Sequence, residues 1–115
     1  MPFLVTPFDT GSGGSGSSCS TCMPVTNFTA PGVFTAVAGV NNVDVTAAPA
    51  TVNLPAGVSG QFFVVKDQKG NSLVNNITVV ASGGETFDGV AGPYLINVNF
   101  NARQFIFNGT DWTVM

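Results

Sequence analysis

From Val25 to its end, the sequence consists of short runs of Val, Ile, Thr and Phe separated by Gly, Pro, Asn and Asp. Such runs predict β-strands joined by tight turns. Helix signals are missing, because Leu is scarce and no apolar stripe recurs every 3.6 residues. The spacing predicts an all-β fold, a small antiparallel β-sandwich or jelly-roll-like knob over 25–115. We predict strands near 33–38, 42–46, 50–54, 61–66, 76–81, 94–100, 103–107 and 110–114.

The last two predicted strands are expected to form a hairpin. Asn108-Gly109 is a strong signal for a type I′ turn, which joins two strands through a two-residue loop. In that register Phe105 faces Trp112 as an aromatic cross-strand pair. We therefore predict a core hairpin formed by Phe105, Phe107, Trp112 and Val114.

The strand before this hairpin is predicted to be half-buried, because apolar and polar residues alternate along 94–100. Its buried face would carry Tyr94, Ile96, Val98 and Phe100.

The run over 61–66 is apolar on both faces. Such a strand either lies centrally between two layers or contacts another subunit with its outer face. Its candidate subunit-interface residues are Phe62 and Val64 on one side and Phe63 and Val65 on the other.

Residues 1–24 differ in composition from the rest of the chain. A short apolar peptide is followed by a Gly/Ser tether and by two cysteines. Gly/Ser tracts are expected to behave as flexible coil, because ordering them costs backbone entropy and buries no side chain. An engineered linker would have a similar composition, but no linker design requires the cysteine pair. We interpret the segment as an extended arm that binds outside its own domain, with anchors at Phe3, Leu4, Val5 and Phe8.

Cys19 and Cys22 are open to several interpretations. A thioredoxin-like redox pair would require a βαβ unit, which the sequence does not predict. A zinc site would require further ligands from neighbouring chains. A disulfide, within the pair or between subunits, is the interpretation we favour; two free thiols are the remaining alternative. A disulfide needs an oxidising setting.

The composition limits the classes of partner. The 115 residues include three basic and six acidic residues, and 8% are charged, against roughly 25% in ordinary domains. So few basic residues argue against nucleic-acid binding. No apolar run approaches the roughly 18 residues of a membrane helix. The low charge indicates that part of the surface is hidden in an assembly.

Catalytic and metal-binding patterns are weak. The chain has no histidine, which excludes Ser-His-Asp and Cys-His catalysis and His-ligated metal sites within one chain. Asp67, Glu85, Asp88 and Asp111 lie in or beside predicted turns, where carboxylates commonly bond local backbone. Two carboxylates would suffice for a glycosidase, but we predict no enzyme, no cofactor and no metal.

Residues 60–115 resemble a module of tailed-phage virion proteins, found in tail-fibre and spike tips and in some capsid decoration proteins. The matching stretches are VVKDQKGN (64–71), NNITVV (75–80), GGETFDG (83–89), YLIN (94–97) and FNGTDWTV (107–114). The resemblance implies a β-sandwich knob, usually a homotrimer without enzymatic activity. Residues 1–24 lie outside it, and no fibre shaft or coiled-coil heptad is present.

Three functions follow as hypotheses. The first is a trimeric capsid decoration (cement) protein on the virion exterior, whose arms bind across major capsid proteins. The second is a tail fibre, tip or adaptor protein, whose arm binds a tail or baseplate protein and whose loops contact the host. The third, a free-standing carbohydrate-binding or hydrolytic domain, is weak because the chain has one Trp and one Tyr. We predict the first.

Overall fold

The computed structural model describes residues 19–115, so the predicted anchors Phe3, Leu4, Val5 and Phe8 lie outside the described residues. The described chain is all-β and contains no helix, as predicted. Its nine strands are β1 (Val25–Thr29), β2 (Gly32–Thr35), β3 (Gly39–Asp44), β4 (Ala50–Leu54), β5 (Phe62–Asp67), β6 (Ile77–Ala81), β7 (Tyr94–Ile96), β8 (Ala102–Phe107) and β9 (Trp112–Val114).

The strands form a five-stranded sheet, β1-β3-β5-β8-β9, and a four-stranded sheet, β2-β4-β6-β7. Up to β6, each strand lies in the sheet opposite to that of the strand before it. Strands that neighbour each other within a sheet therefore run in the same direction: β1 with β3, β3 with β5, β2 with β4, and β4 with β6. After β6 the chain forms antiparallel pairs, β6 with β7, β5 with β8, and β8 with β9.

The expected antiparallel arrangement is therefore wrong for the first six strands, although a β-sandwich-like fold fits. The alternation of apolar residues predicts which face of a strand is buried, but it does not predict the direction of its neighbour. Short links carry the chain across to the other sheet. One example is the Ala30-Pro31 link between β1 and β2.

The core lies between the two sheets and draws on both. Val43, Val65 and Phe105 from the larger sheet and Val52 and Val79 from the smaller one are fully buried. The rings of Phe87, Tyr94 and Phe105 meet edge to face or tilted, and the Trp112 ring contacts those of Phe63 and Phe107. Such aromatic contacts add to the free energy gained from area burial alone.

The predicted strand over 94–100 is only half present. It ends at Ile96, which is fully buried, and Val98 and Phe100 lie beyond it with more than half of their surface exposed. The backbone leaves the sheet there because its polar groups bond another loop: the Val98 carbonyl accepts from the Ser72 hydroxyl at 2.7 Å. The burial predicted for Val98 and Phe100 is therefore wrong.

The terminal hairpin forms, but its predicted register is wrong by two residues. Phe105 pairs with Val114, and Phe107 pairs with Trp112, in place of the expected Phe105–Trp112 pair. A shift of two residues keeps each side chain on its predicted face. Phe105, Phe107 and Trp112 are accordingly buried, and Val114 packs against the core.

The cause of this shift is the turn itself. A type I′ turn needs positive φ at both central residues, but of Asn108 and Gly109 only the glycine has it, at 101°. The Asn108 side-chain oxygen instead accepts from the backbone N–H groups of Thr110 and Asp111, at 2.9 and 3.0 Å. This Asx-type arrangement gives a four-residue loop over 108–111.

Candidate interaction surfaces

The Asp67 carboxylate, at the end of β5, is fully buried and binds four backbone N–H groups. Gly70 and Asn71 donate to Oδ1 at 3.0 and 3.3 Å. Ser72 and Phe100 donate to Oδ2, both at 2.9 Å. One side chain thus joins the loop after β5 to the loop after β7.

The ionised form of Asp67 is favoured. Burial of the carboxyl acts to raise its pKa, but hydrogen bonds from the backbone of Ser72, Phe100 and Asn71 outweigh it and hold the pKa below its ordinary value. The two loops are therefore fastened by a charged acceptor, whose hydrogen bonds are stronger than neutral ones.

Phe100 is held in a constrained position by this network. Its φ is 64°, in the left-handed region that a bulky residue rarely adopts. Its ring lies against Gly70, where any side chain would clash with it. The Lys66 ammonium lies 5.5 Å from the ring centroid and also donates to the Phe100 carbonyl. Backbone in this region is costly and persists where surrounding contacts enforce it.

The two fastened loops expose four large apolar side chains, which we call the loop tip. Leu73, Val74, Val98 and Phe100 are 66, 81, 58 and 59% exposed. The loops are also cross-linked by the Asn99 side chain, which accepts from the Leu73 N–H at 2.9 Å. The loop tip is thus an apolar surface whose backbone is fixed by hydrogen bonds to the Asp67 and Asn99 side chains.

A second apolar surface lies on the outer face of the five-stranded sheet. Strand register aligns Val25, Val40 and Val64 in one row, and Phe62 and Ile106 in the adjacent row. Four of these side chains are half-buried, and Val25 is 57% exposed. We call these five residues the outer apolar patch. An outward-facing sheet surface in contact with water is normally polar.

The rest of that outer face, and the outer face of the smaller sheet, are more polar. The row next to Val64 contains Asn27, Asn42 and Lys66, and the two asparagine side chains bond each other at 3.1 Å. On the smaller sheet the corresponding rows hold Val33, Thr51, Thr78, Leu95, Thr35, Asn53 and Val80. The two rows of the outer apolar patch are therefore richer in apolar residues than the other outward-facing rows, although the Val64 row continues into Gln104.

A groove of about 530 Å³ adjoins the patch at Phe62. Its walls include Thr21–Pro24, Gly39 and Gln61, so it lies where the described chain begins; we call it the N-terminal groove. The Pro24 carbonyl accepts from the Val40 N–H at 2.9 Å, and a side chain at Gly39 would clash with that carbonyl. The segment before β1 is thereby held close alongside β3.

The cysteines lie at this groove. Cys19 and Cys22 are joined in a disulfide within the chain, with Cα atoms 5.3 Å apart, and Cys22 lines the groove. In this state neither sulfur is a metal ligand or a link between subunits.

The four predicted subunit-interface residues divide by side. Phe63 and Val65 are buried in the core and are not available to another subunit, because β5 lies between β3 and β8 with the smaller sheet covering its inner side. Phe62 and Val64 belong to the outer apolar patch and stay candidates. The sequence predicted that both sides are apolar, but not which side is covered.

The remaining turn carboxylates bond backbone or side-chain groups, and most of these partners are remote in sequence, in place of the local backbone expected. The Glu85 carboxylate accepts from the N–H groups of Gly57 and Gly83, both at 3.2 Å, and the Gly57 contact lowers its pKa. Asp88 accepts from the Val114 N–H at 3.1 Å. Asp111 binds the Asn108 amide and the Gly89 N–H, both at 2.7 Å, and these contacts lower its pKa.

The described residues contain no group of three or more His, Cys, Asp or Glu side chains placed to hold a metal ion. Within residues 19–115 there is also no helix long and apolar enough to cross a membrane.

The loop tip was missed at the level of sequence, although a signal for it exists. Asp67 directly follows the apolar run 61–66, and Gly70-Asn71 follows it as a turn. That spacing suits an aspartate that bonds its own turn, but the second loop, at Phe100, is remote in sequence.

A scan against protein-family models found no match for the chain, and a search of curated proteins found no similar sequence. The resemblance of residues 60–115 to a phage virion module therefore stays a prediction.

Proposed function

We propose that the chain is a structural protein of a tailed-phage virion: a homotrimeric decoration protein on the capsid exterior. Residues 25–115 are its β-sandwich knob. Residues 1–24 are an extended arm that binds across neighbouring major capsid proteins. The protein catalyses no reaction in this role and needs no cofactor or metal.

The outer apolar patch is the observation that carries the proposal. It places Val25, Val40, Phe62, Val64 and Ile106 on an outward-facing sheet surface of a chain in which 8% of residues are charged. A water-exposed sheet face would gain solubility from polar residues at these positions. Covering the patch with other subunits removes that surface from water, and this favours an assembly over a monomer.

The arm would supply the attachment. Each Leu or Phe that it buries in a capsid contributes roughly 1.5–3 kcal/mol. Three arms on one trimer bind with an avidity that exceeds the affinity of a single arm. The Cys19–Cys22 disulfide lies where this arm joins the described chain. The trimer would then tie capsid subunits together against the pressure of packed DNA.

The loop tip favours a second candidate, a tail fibre, tip or adaptor protein. Exposed aromatic residues on loops suit contact with a host surface, and Phe100 is 59% exposed on a loop that Asp67 fastens. A preformed surface of this kind avoids the entropic cost of ordering a loop on binding. The arm would then bind a tail or baseplate protein.

Binding to empty capsids tests the proposal. The variant has four substitutions in the arm: Phe3→Ser, Leu4→Ser, Val5→Ser and Phe8→Ser. The matched control, Thr6→Ser with Thr10→Ser, changes the same segment without removing apolar side chains. We expect the control to coat capsids fully and the variant to lose at least 90% of its occupancy, because each anchor contributes to binding. Equal occupancy of the two would contradict the proposed role of the arm.

Copy number on intact particles separates the two candidates. Hundreds of copies per virion, imaged over the head, are expected for a decoration protein. A handful of copies at the tail would instead support the fibre or adaptor function.

A further inference from the structure

The outer apolar patch and the N-terminal groove form one continuous apolar region, because Phe62 belongs to both. Within residues 19–115 no element covers this region. The groove is walled by Thr21–Pro24, so the chain enters the described structure at the edge of the uncovered surface.

The segment that precedes this point has the composition to cover the region. Residues 3–8 read FLVTPF, and they are followed by ten residues, 9–18, that are mostly Gly and Ser. A ten-residue chain of this composition spans roughly 16–19 Å. The patch extends over β1, β3, β5 and β8, which is three strand spacings or roughly 14 Å. The apolar peptide therefore reaches every residue of the patch from its own point of attachment.

We propose that, in the isolated subunit, residues 3–8 pack against the outer apolar patch and the N-terminal groove of the same chain. A tether of this length gives the peptide an effective concentration in the millimolar range at its own patch. A second copy at micromolar concentration supplies far less. The intramolecular contact is thus favoured over exchange between copies in dilute solution.

This contact would control assembly. The patch that subunits use to associate is the patch that the arm covers, so association of subunits displaces the arm. An arm displaced in this way becomes available to a capsid or tail protein. The step from cover to release rests on the proposed function, whereas the contact in the free subunit does not.

Cross-linking of the full-length chain tests the contact. One variant combines Val5→Cys with Val64→Cys, and its matched control combines Val5→Cys with Val33→Cys, which lies on the outer face of the other sheet and is 67% exposed. A short bismaleimide joins free thiols and leaves the Cys19–Cys22 disulfide intact. At low micromolar concentration we expect the Val64 variant to form the cross-link within one chain at least tenfold faster than the Val33 control.

Two cross-linking results would overturn the proposal. Equal rates in the two variants would show no preference of the arm for the patch, and cross-links found only in dimers would assign the patch to a second copy. A dye that fluoresces on apolar surfaces gives a second readout that leaves the folded part of the chain unchanged. Phe3→Ser with Leu4→Ser should raise its fluorescence several-fold over Thr6→Ser with Thr10→Ser, and no rise would also overturn the proposal. Neither readout involves capsids, so failure here is distinguishable from failure of the attachment experiment.

Discussion

Phe62 and Phe63 are adjacent residues of the same type, and they lie on opposite sides of β5. Phe63 is 4% exposed, and its ring centroid lies 5.8 Å from that of Trp112 in the core. Phe62 lies on the outer apolar patch, and both phenylalanines are among the residues that line the N-terminal groove. Packing within the subunit explains why Phe63 is apolar, but it does not explain why Phe62 is. The inner side of β5 therefore packs in the core and stabilises the fold. In our proposal, its outer side contacts other subunits.

Truncation of each phenylalanine is the strongest test of this difference. We expect Phe63→Ala to lower the free energy of unfolding by about 3–5 kcal/mol, because it leaves a cavity against Trp112. Phe62→Ala should cost less than about 1 kcal/mol, because it removes surface contacts only. Urea denaturation measures both. Similar losses for the two variants would contradict the assignment of the two sides.

The inner side of β5 ends at Asp67, and its removal should have the next largest effect on stability. Asp67→Asn replaces a charged acceptor by an amide that donates toward the same N–H groups, so we expect a loss of about 2–3 kcal/mol. Asp44→Asn is the control, since Asp44 accepts from Thr46 at an exposed site. Hydrogen exchange at Gly70, Ser72 and Phe100 should accelerate in the first variant. Unchanged exchange there would contradict the role of Asp67 as the link between the loops.

Acidification should lower the stability of the fold by protonating Asp67, the same residue at the end of β5. The pKa of Asp67 is lower in the folded chain than its ordinary value of 3.8. Its contribution to stability is therefore present above about pH 4 and is lost as the pH falls through the folded-state pKa. As the pH is lowered below 4, the urea concentration at the unfolding midpoint should decrease. The decrease should be smaller in Asp67→Asn than in the unsubstituted protein. Parallel pH profiles for the two proteins would assign the acid sensitivity to other groups.

The outer side of β5 should affect association, with the smallest change in free energy. We expect Val64→Ser to weaken self-association at least tenfold, or about 1.4 kcal/mol. Val80→Ser is the matched control on the outer face of the smaller sheet, and it should leave association unchanged. Sedimentation equilibrium measures both constants. Equal weakening would show that the outer apolar patch is not the contact surface.

Local features of the fold were predictable from the sequence, because they depend on neighbouring residues. The run 50–54 was predicted as a strand with the bounds of β4, and Phe105, Phe107 and Trp112 of the last hairpin are in the core as predicted. The apolar side chains of β5 were also found, but their division into core and surface depends on which sheet face the rest of the chain covers.

Features set by distant residues were not predictable. The parallel pairing of β1 with β3 follows from links that cross to the other sheet. The end of β7 at Ile96 follows from bonds to Ser72 and to the Asp67 carboxylate, which are remote in sequence. The loop tip was missed for that reason, since its two loops meet only in the folded chain.

The winding of the first six strands determines how the molecule could grow. β1 and β2 form the first turn of the winding and are border strands of the two sheets. An additional pair of strands placed before them would add one strand to the border of each sheet. The aromatic hairpin at the other end of the chain would be unaffected. A protein built in this manner can gain strands by duplication of such a pair without changes to the existing core. The extension would begin at the free edges of β1 and β2.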